Sequence, residues 1–338
     1  MSTATLERES ATAPASGPRR LLHGMTWLVW RQHRGVLWTG LGLVTALVVA
    51  AVLLRHNAVA FQAAHGIADC PLMGGSERCT ARQELIDEYR GLYAAPFRLL
   101  LAGVLALPFL GGLFVGAPLI ARELEADTHR LVWAQGVTRE SWLLHKLALP
   151  MGALTAGTGA AAWVGSWALE GAGQATLGLY WYSATAFIPT GPAVAGYAAL
   201  GVALGAAAGA VTRRTLPAMA LTLGAMGALT ALLTAVRPYL VRPVTSFGRS
   251  VPPVREEDWM LVQPQSALAD KTLFDSAPCF QADDFDACLA DHGALHEYSQ
   301  RHPLGHMRDL QLAEGAVCLG LAALAVTFVW LWMRRRSF

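Results

Sequence analysis

Apolar residues in this chain do not alternate with polar ones. They run in long blocks separated by polar, proline-rich or charged segments. A helix needs about 20 mostly apolar residues, at 1.5 Å rise each, to cross about 30 Å of hydrocarbon. Six blocks meet that length, at residues 36–54, 99–120, 147–169, 184–211, 216–236 and 310–332. Helical periodicity inside them is weak, as expected for helices that are apolar on most faces. Pro189 and Pro192 predict a break near the start of the fourth block. The pattern therefore predicts an all-α integral membrane protein with six transmembrane helices and a large loop between spans five and six.

The blocks also divide the chain. Residues 1–24 are poor in aromatics and read as a disordered tail, not as a cleaved signal peptide. Residues 25–35 set Trp27, Leu28 and Trp30 against Arg31, His33 and Arg34, the make-up of an amphipathic helix lying on the membrane face. Residues 36–236 hold spans one to five, with an outer loop at 55–98 and an inner loop at 121–146. Residues 237–308 form a cap and residues 309–338 the sixth span and its end.

Composition sharpens this picture. Hydrophobic residues make up 54% of the 338 positions and charged ones only 15%, too few to cover a soluble protein of this size. The net charge of +2, with Lys146 and Lys271 as the two lysines, excludes a nucleic-acid-binding or disordered protein. The distribution of charge sets the topology. Segments 1–35, 121–146, 212–215 and 334–338 hold 14 Lys+Arg in 70 residues, against 12 in about 130 residues on the other side. By the positive-inside rule both termini lie in the cytoplasm, in a multi-pass protein of the plasma membrane. Membrane lipid is then its first partner.

Cys70, Cys79, Cys279 and Cys288 all fall in the outer loops, which favours disulfides. Each pair is nine residues apart, so Cys70–Cys79 and Cys279–Cys288 are the simplest pairing, with cross-loop bridges left open. Histidines at His292/His296 and His302/His306 have the i, i+4 spacing of zinc ligands. Solvated loop histidines beside Pro303 are the commoner case, and no metal is assigned.

Several chemistries are absent from the sequence. His145 and Asp270 precede the lysines, so there is no phosphate-binding Gly-Lys-Ser/Thr. Neither a zinc-protease helix nor a nucleophile elbow occurs. The chain is expected not to be an enzyme. Gly201, Gly205 and Gly209 in span four, and Gly112 and Gly116 in span two, let helix backbones approach closely, within one subunit or across a dimer seam. Glu314 is a carboxylate inside span six, costly unless paired; Arg308 or Arg98 lie at a similar expected depth.

The segment Arg122-Glu123-Leu124-Glu125-Ala126-Asp127-Thr128, followed by Thr138-Arg139 and Lys146, resembles the cytoplasmic R-E-x-E-x-G-T…S-R…K signature of type-2 ABC exporter permeases. Asp127 stands where the family has Gly, and Thr138 where it has Ser. The opening Met25-Thr26-Trp27-Leu28, the Arg237-Pro238 pair, and Gln311 and Glu314 at the start of span six are similar to an actinobacterial branch of that family. The resemblance implies a permease dimer, most simply a homodimer, docked on two copies of a separate ATP-binding subunit. No cofactor is then expected on this chain, with ATP and Mg on the partner. It also implies export of a hydrophobic or amphipathic compound such as an antibiotic, peptide or lipid. Arg122, Glu123, Glu125, Thr128, Leu131, Trp133 and Arg139 become the expected ATPase-coupling residues, with Glu123 and Glu125 near the start of a short helix. Gln311 and Glu314 become residues of the transport path or gate. The family usually has short re-entrant helices in the last outer loop. This long version, with Pro238, Pro243, Pro252, Pro253 and Pro264 in its first half, is expected to be an ordered cap held by disulfide. The rival reading is a polytopic sensor or assembly factor whose outer loops bind a peptide or envelope ligand.

Overall fold

The computed structural model describes residues 25–68, 70, 77–127 and 138–335. The expected tail at 1–24 lies outside the described residues, as do Thr128, Leu131 and Trp133. Six helices are long and apolar enough to cross a membrane, and each overlaps one of the six blocks. The first, α1, is Met25–His65, 41 residues or about 60 Å. Residues 25–35 are its first turns, not a separate helix. The second is bent from α3 (Gln83–Gly111), a π-helical turn at Gly112–Gly116, and α4 (Ala117–Glu125). Pro108 lacks the N–H that would close its turn, and the wider π turn follows just after it. Then come α5 (Arg139–Gly171), α7 (Ala193–Thr212), α8 (Thr215–Val236) and α10 (His306–Arg335). The break at Pro189 and Pro192 holds, since α7 starts only at Ala193 with Pro192 as its N-cap.

The loop expected at 55–98 is largely helix, because α1 runs on to His65 and α3 begins at Gln83. Between them sit the four-residue α2 (Glu77–Thr80) and the Cys70–Cys79 disulfide. The hydroxyl of Thr176, in the short α6 (Gln174–Leu177), donates to the Cys70 carbonyl at 2.9 Å. The Gln62 amide and Tyr89 hydroxyl both donate to the Ala172 carbonyl at the end of α5, at 2.7 and 2.6 Å. The same end of the bundle is thus closed by polar groups that satisfy one another.

One helix sits in the middle. Within its most apolar stretch α7 is 78% buried, against 6% for α1 and 17% for α8. Its glycines explain how. A Cβ on Gly201 would fall 2.6 Å from the Pro108 carbonyl oxygen, and one on Gly205 would fall 2.4 Å from the Ala117 nitrogen. On Gly116 it would fall 2.7 Å from the Val202 carbonyl oxygen. The two glycine rows therefore face each other, spans two and four of one chain in backbone contact, and not a seam between subunits.

The cap is ordered and disulfide-held, as expected, but differs from what the resemblance gives as usual. Beyond α8 a 3₁₀ turn at Arg237–Tyr239 leads into β1 (Val244–Gly248), β2 (Trp259–Ala267) and β3 (His296–His302). They form an antiparallel sheet of order β1-β3-β2, not re-entrant helices. Pro264 is tolerated because β2 is an edge strand, and its pairing shifts register on that side. A 3₁₀ turn (Ala277–Gln281) and α9 (Phe285–Asp291) are joined by the Cys279–Cys288 disulfide, so both local bridges form.

The glycine contact yields a matched pair of substitutions. Gly205→Ala pushes a methyl into backbone on the facing helix and should lower stability by about 1–3 kcal/mol. Gly224→Ala has nothing within 4 Å to meet and should be neutral or slightly stabilising. Thermal unfolding of the detergent-solubilised protein reads both; equal midpoints for the two variants would refute the packing.

Candidate functional site

Ionic groups inside the helical bundle are few, and they gather at its two ends. At the cap end α8 stops at Val236, and the 3₁₀ turn swings the Arg237 side chain back into the bundle. Arg237 is 2% exposed and Glu314, from α10, is fully buried. Nε of Arg237 donates to Oε2 of Glu314 at 2.7 Å, and Nη2 donates to Oε1 at 2.9 Å. Two parallel bonds of this kind hold both planes in register. The Tyr197 hydroxyl, from the central α7, donates to Oε1 at 2.7 Å. The guanidinium carbon lies 3.8 Å from the centroid of the Phe187 ring. Gln311, one turn before Glu314, donates to the Phe187 carbonyl at 2.8 Å. One cluster therefore ties together α7, α10, the elbow after α8 and the turn that carries Phe187.

The partner of Glu314 is thus neither Arg308 nor Arg98. Both are exposed. Arg308 is six residues from Glu314 on the same helix, on another face. Gln311 and Glu314 both reach the turn that carries Phe187, one through the Phe187 carbonyl and the other through Arg237. Sequence reasoning missed Tyr197, Phe187 and Arg237 as partners. Arg237 is 77 positions away in sequence.

The cap is seated directly over this cluster. His302, ending β3, shares a hydrogen bond with the Pro238 carbonyl through Nε2 at 3.0 Å and with Nδ1 of His306 through Nδ1 at 3.0 Å. A carbonyl only accepts, so His302 carries its proton on Nε2 and His306 donates to the free Nδ1. Burial holds His302 below the ordinary histidine range, against the pull of the Pro238 carbonyl, and His306 adds to the depression. The two roots of the cap, at 238 and 302, are pinned together by this pair. The Trp181 indole donates to the Glu257 carbonyl at 2.7 Å, and the Tyr180 hydroxyl to Glu256 at 2.8 Å. Burial first, then the Glu256 carboxylate, push the Tyr180 hydroxyl well above its usual range, so it stays a donor. Tyr182 stacks on Trp259 with centroids 6.0 Å apart.

At the opposite end the expected coupling residues divide. Arg122, Glu123 and Glu125 lie in the last turn of α4, not at the start of a helix. Acids there oppose the helix dipole, so they need other partners. Glu123 forms a salt bridge with Lys146, whose ammonium also donates to the Leu119 carbonyl at 3.3 Å and lies 5.0 Å from the Trp142 ring. Glu125 accepts from the Thr215 backbone N–H at 3.1 Å and from its hydroxyl at 2.8 Å, and so caps the first turn of α8. Arg122 is exposed. Thr138 caps α5 by accepting from the Ser141 N–H at 3.2 Å, and Arg139 opens that helix. Asp127 has φ +53°, the left-handed conformation that favours glycine and that Asp tolerates better than most residues. Asp127, where the resemblance puts Gly, thus adopts a backbone conformation that Gly favours.

The zinc-like spacings build no ligand set among the described residues: His302 and His306 meet each other, but only the Pro238 carbonyl joins them. His292 ends α9 and His296 begins β3. Cys279, Cys288 and His292 lie within 4.8 Å of one another, but the two sulfurs are spent in a disulfide and offer no thiolate.

The buried pair makes a quantitative prediction. Glu314→Gln or Arg237→Met alone leaves an unmatched polar group in the interior and should cost about 3–5 kcal/mol. The double variant removes both charges together and should be more stable than either single one. Thermal unfolding of the three proteins tests this; a double variant no better than the worse single one contradicts a coupled pair.

A family model described as ABC-2 membrane transporter related matches residues 41–237, more than half of the chain. No curated protein and no solved structure matches it. The match takes in spans one to five, the α4–α5 connection with its Glu123–Lys146 pair, and ends on Arg237, leaving the cap and α10 beyond it. Six apolar helices agree with that match. The chain belongs to the ABC-2 membrane transporter related family and is a multi-pass membrane protein, the permease type of subunit that normally pairs with an ATP-binding subunit.

Proposed function

We propose that this chain is the membrane subunit of an ATP-driven exporter that moves a hydrophobic or amphipathic compound out of the cell. Two copies, most simply a homodimer, would dock on two ATP-binding subunits that carry the ATP and Mg. Both termini and the α4–α5 connection face the cytoplasm in this reading, as the excess of arginine there requires, and the cap faces outward. The two disulfides, one between α1 and α3 and one in the cap, agree with an oxidising compartment on that side.

The observation that carries the proposal is how the α4–α5 connection is rooted. Glu123 binds Lys146 of α5, and Glu125 caps α8. A push at its described roots reaches three membrane helices through the Glu123–Lys146 salt bridge and the Glu125 cap. The central α7 packs its glycines on α3 and α4 and places Tyr197 on Glu314. Motion applied at the inner end therefore has a rigid route to the Arg237–Glu314 pair. Gln311 and Glu314 act in this scheme as the outer gate, whose ion pair must shift for the substrate to leave.

The test separates docking from transmission. Arg122→Glu, at an exposed position, combined with Leu131→Asp should reduce recovery of the ATP-binding subunit about tenfold in co-purification, with membrane insertion unchanged. Glu123→Gln should retain the partner but lose export. If the first variant recovers its partner in full and exports normally, the coupling surface lies elsewhere.

A further inference from the structure

We infer that the cap carries a ligand site of its own, in a groove between the sheet and α9, for a lipophilic cation. This goes beyond the exporter reading and does not depend on the direction of transport. The groove has a volume of about 910 Å³, within the range of sites that take drug-sized ligands. Its walls come from β2, β3, α9 and the 3₁₀ turn before it. Phe280, Phe285, Leu273 and Leu295 line it with their apolar surface open to solvent, and Phe280 is 74% exposed. Single exposed apolar residues are ordinary, whereas four around one concavity are not. The Phe280 and Phe285 rings stack at 5.3 Å, and the Cys279–Cys288 disulfide joins the residues beside them. The apolar floor is thereby held in place without a ligand.

Charge decides the class of ligand. Asp275, Asp286 and Glu297 lie in the lining, against the single guanidinium of Arg249. No ion pair engages Asp286, Glu297 or Arg249 among the described residues. His296, also in the lining, has a buried Nδ1 with no hydrogen-bond partner, its ring stacked on Phe247 at 5.1 Å. An aromatic floor with a net negative rim attracts a cation through both its carboxylates and its ring faces. A lipophilic anion of the same shape would meet the same floor and be repelled by the rim.

A matched pair of probes tests this on the full-length protein in lipid nanodiscs, with empty nanodiscs as the reference. Tetraphenylphosphonium and tetraphenylborate share size and shape and differ in sign. Equilibrium dialysis should show saturable binding of the cation and none of the anion. Asp286→Asn with Glu297→Gln should weaken cation binding roughly fivefold or more, as expected for two partly exposed charge contacts. Phe280→Ala should weaken it as well, at unchanged thermal stability. Absence of saturable cation binding overturns the inference. So does equal binding of the anion, or cation binding that both variants leave unchanged, since that would place the site elsewhere in the bundle.

Discussion

A carboxylate with no exposure, at the end of an apolar bundle, must be matched in charge and in hydrogen bonds, or the helix that carries it cannot pack. Glu314 is in that position, and meeting its needs organises the cap end of the molecule. Arg237 has to fold back from the end of α8, which fixes the elbow from which the cap departs. Tyr197 has to reach it from α7, which fixes the rotation of the central helix. Phe187 has to lie under the guanidinium, and Gln311 holds the backbone of Phe187. Once Arg237 is placed, Pro238 follows it and the His302 bond closes the two roots of the cap.

The central helix transmits that constraint to the opposite end. Gly201, Gly205 and Gly209 lie against the backbone of α3, the π turn and α4, so α7 cannot slide or turn without displacing span two. Close-packed interiors move between discrete arrangements and do not deform smoothly. At that opposite end, Glu123 and Lys146 bind span two to span three, and Glu125 binds span two to span five. One salt bridge, one carboxylate cap and one glycine contact thus link the end of α4 to a buried pair whose carboxylate lies outside the matched residues.

The sequence made some of this legible and hid the rest for physical reasons. Block length alone located the six membrane helices, because little besides a span tolerates such apolar runs. Cys70–Cys79 and Cys279–Cys288 were visible as short-range pairs, and Glu314 stood out as a carboxylate in an apolar block. Its partner was hidden because Arg237 sits at a boundary where arginine is ordinary, and long-range pairing leaves no local pattern. Tyr197 was hidden in the Ala/Gly stretch that makes α7 so buried. The cap strands were hidden by their polarity: His-Glu-Tyr-Ser-Gln-Arg-His reads as loop, and β3 is a strand because it has neighbours on both sides. The extension of α1 and α3 past their apolar blocks was missed because residues 55–65 and 83–98 carry charge, and Gly91 and Pro96 lie in the second stretch, although both stretches are helical.

The proposed exporter couples a cytoplasmic partner to an outer gate through this one rigid path. Hydrogen exchange of the chain bound to its ATP-binding subunit, compared with and without ATP, tests that claim most directly. The account predicts that ATP changes amide exchange at both ends, in residues 121–127 and also around 237–243 and 302–314. Changes confined to the inner end, with exchange around Arg237 and Glu314 unaltered, would contradict it.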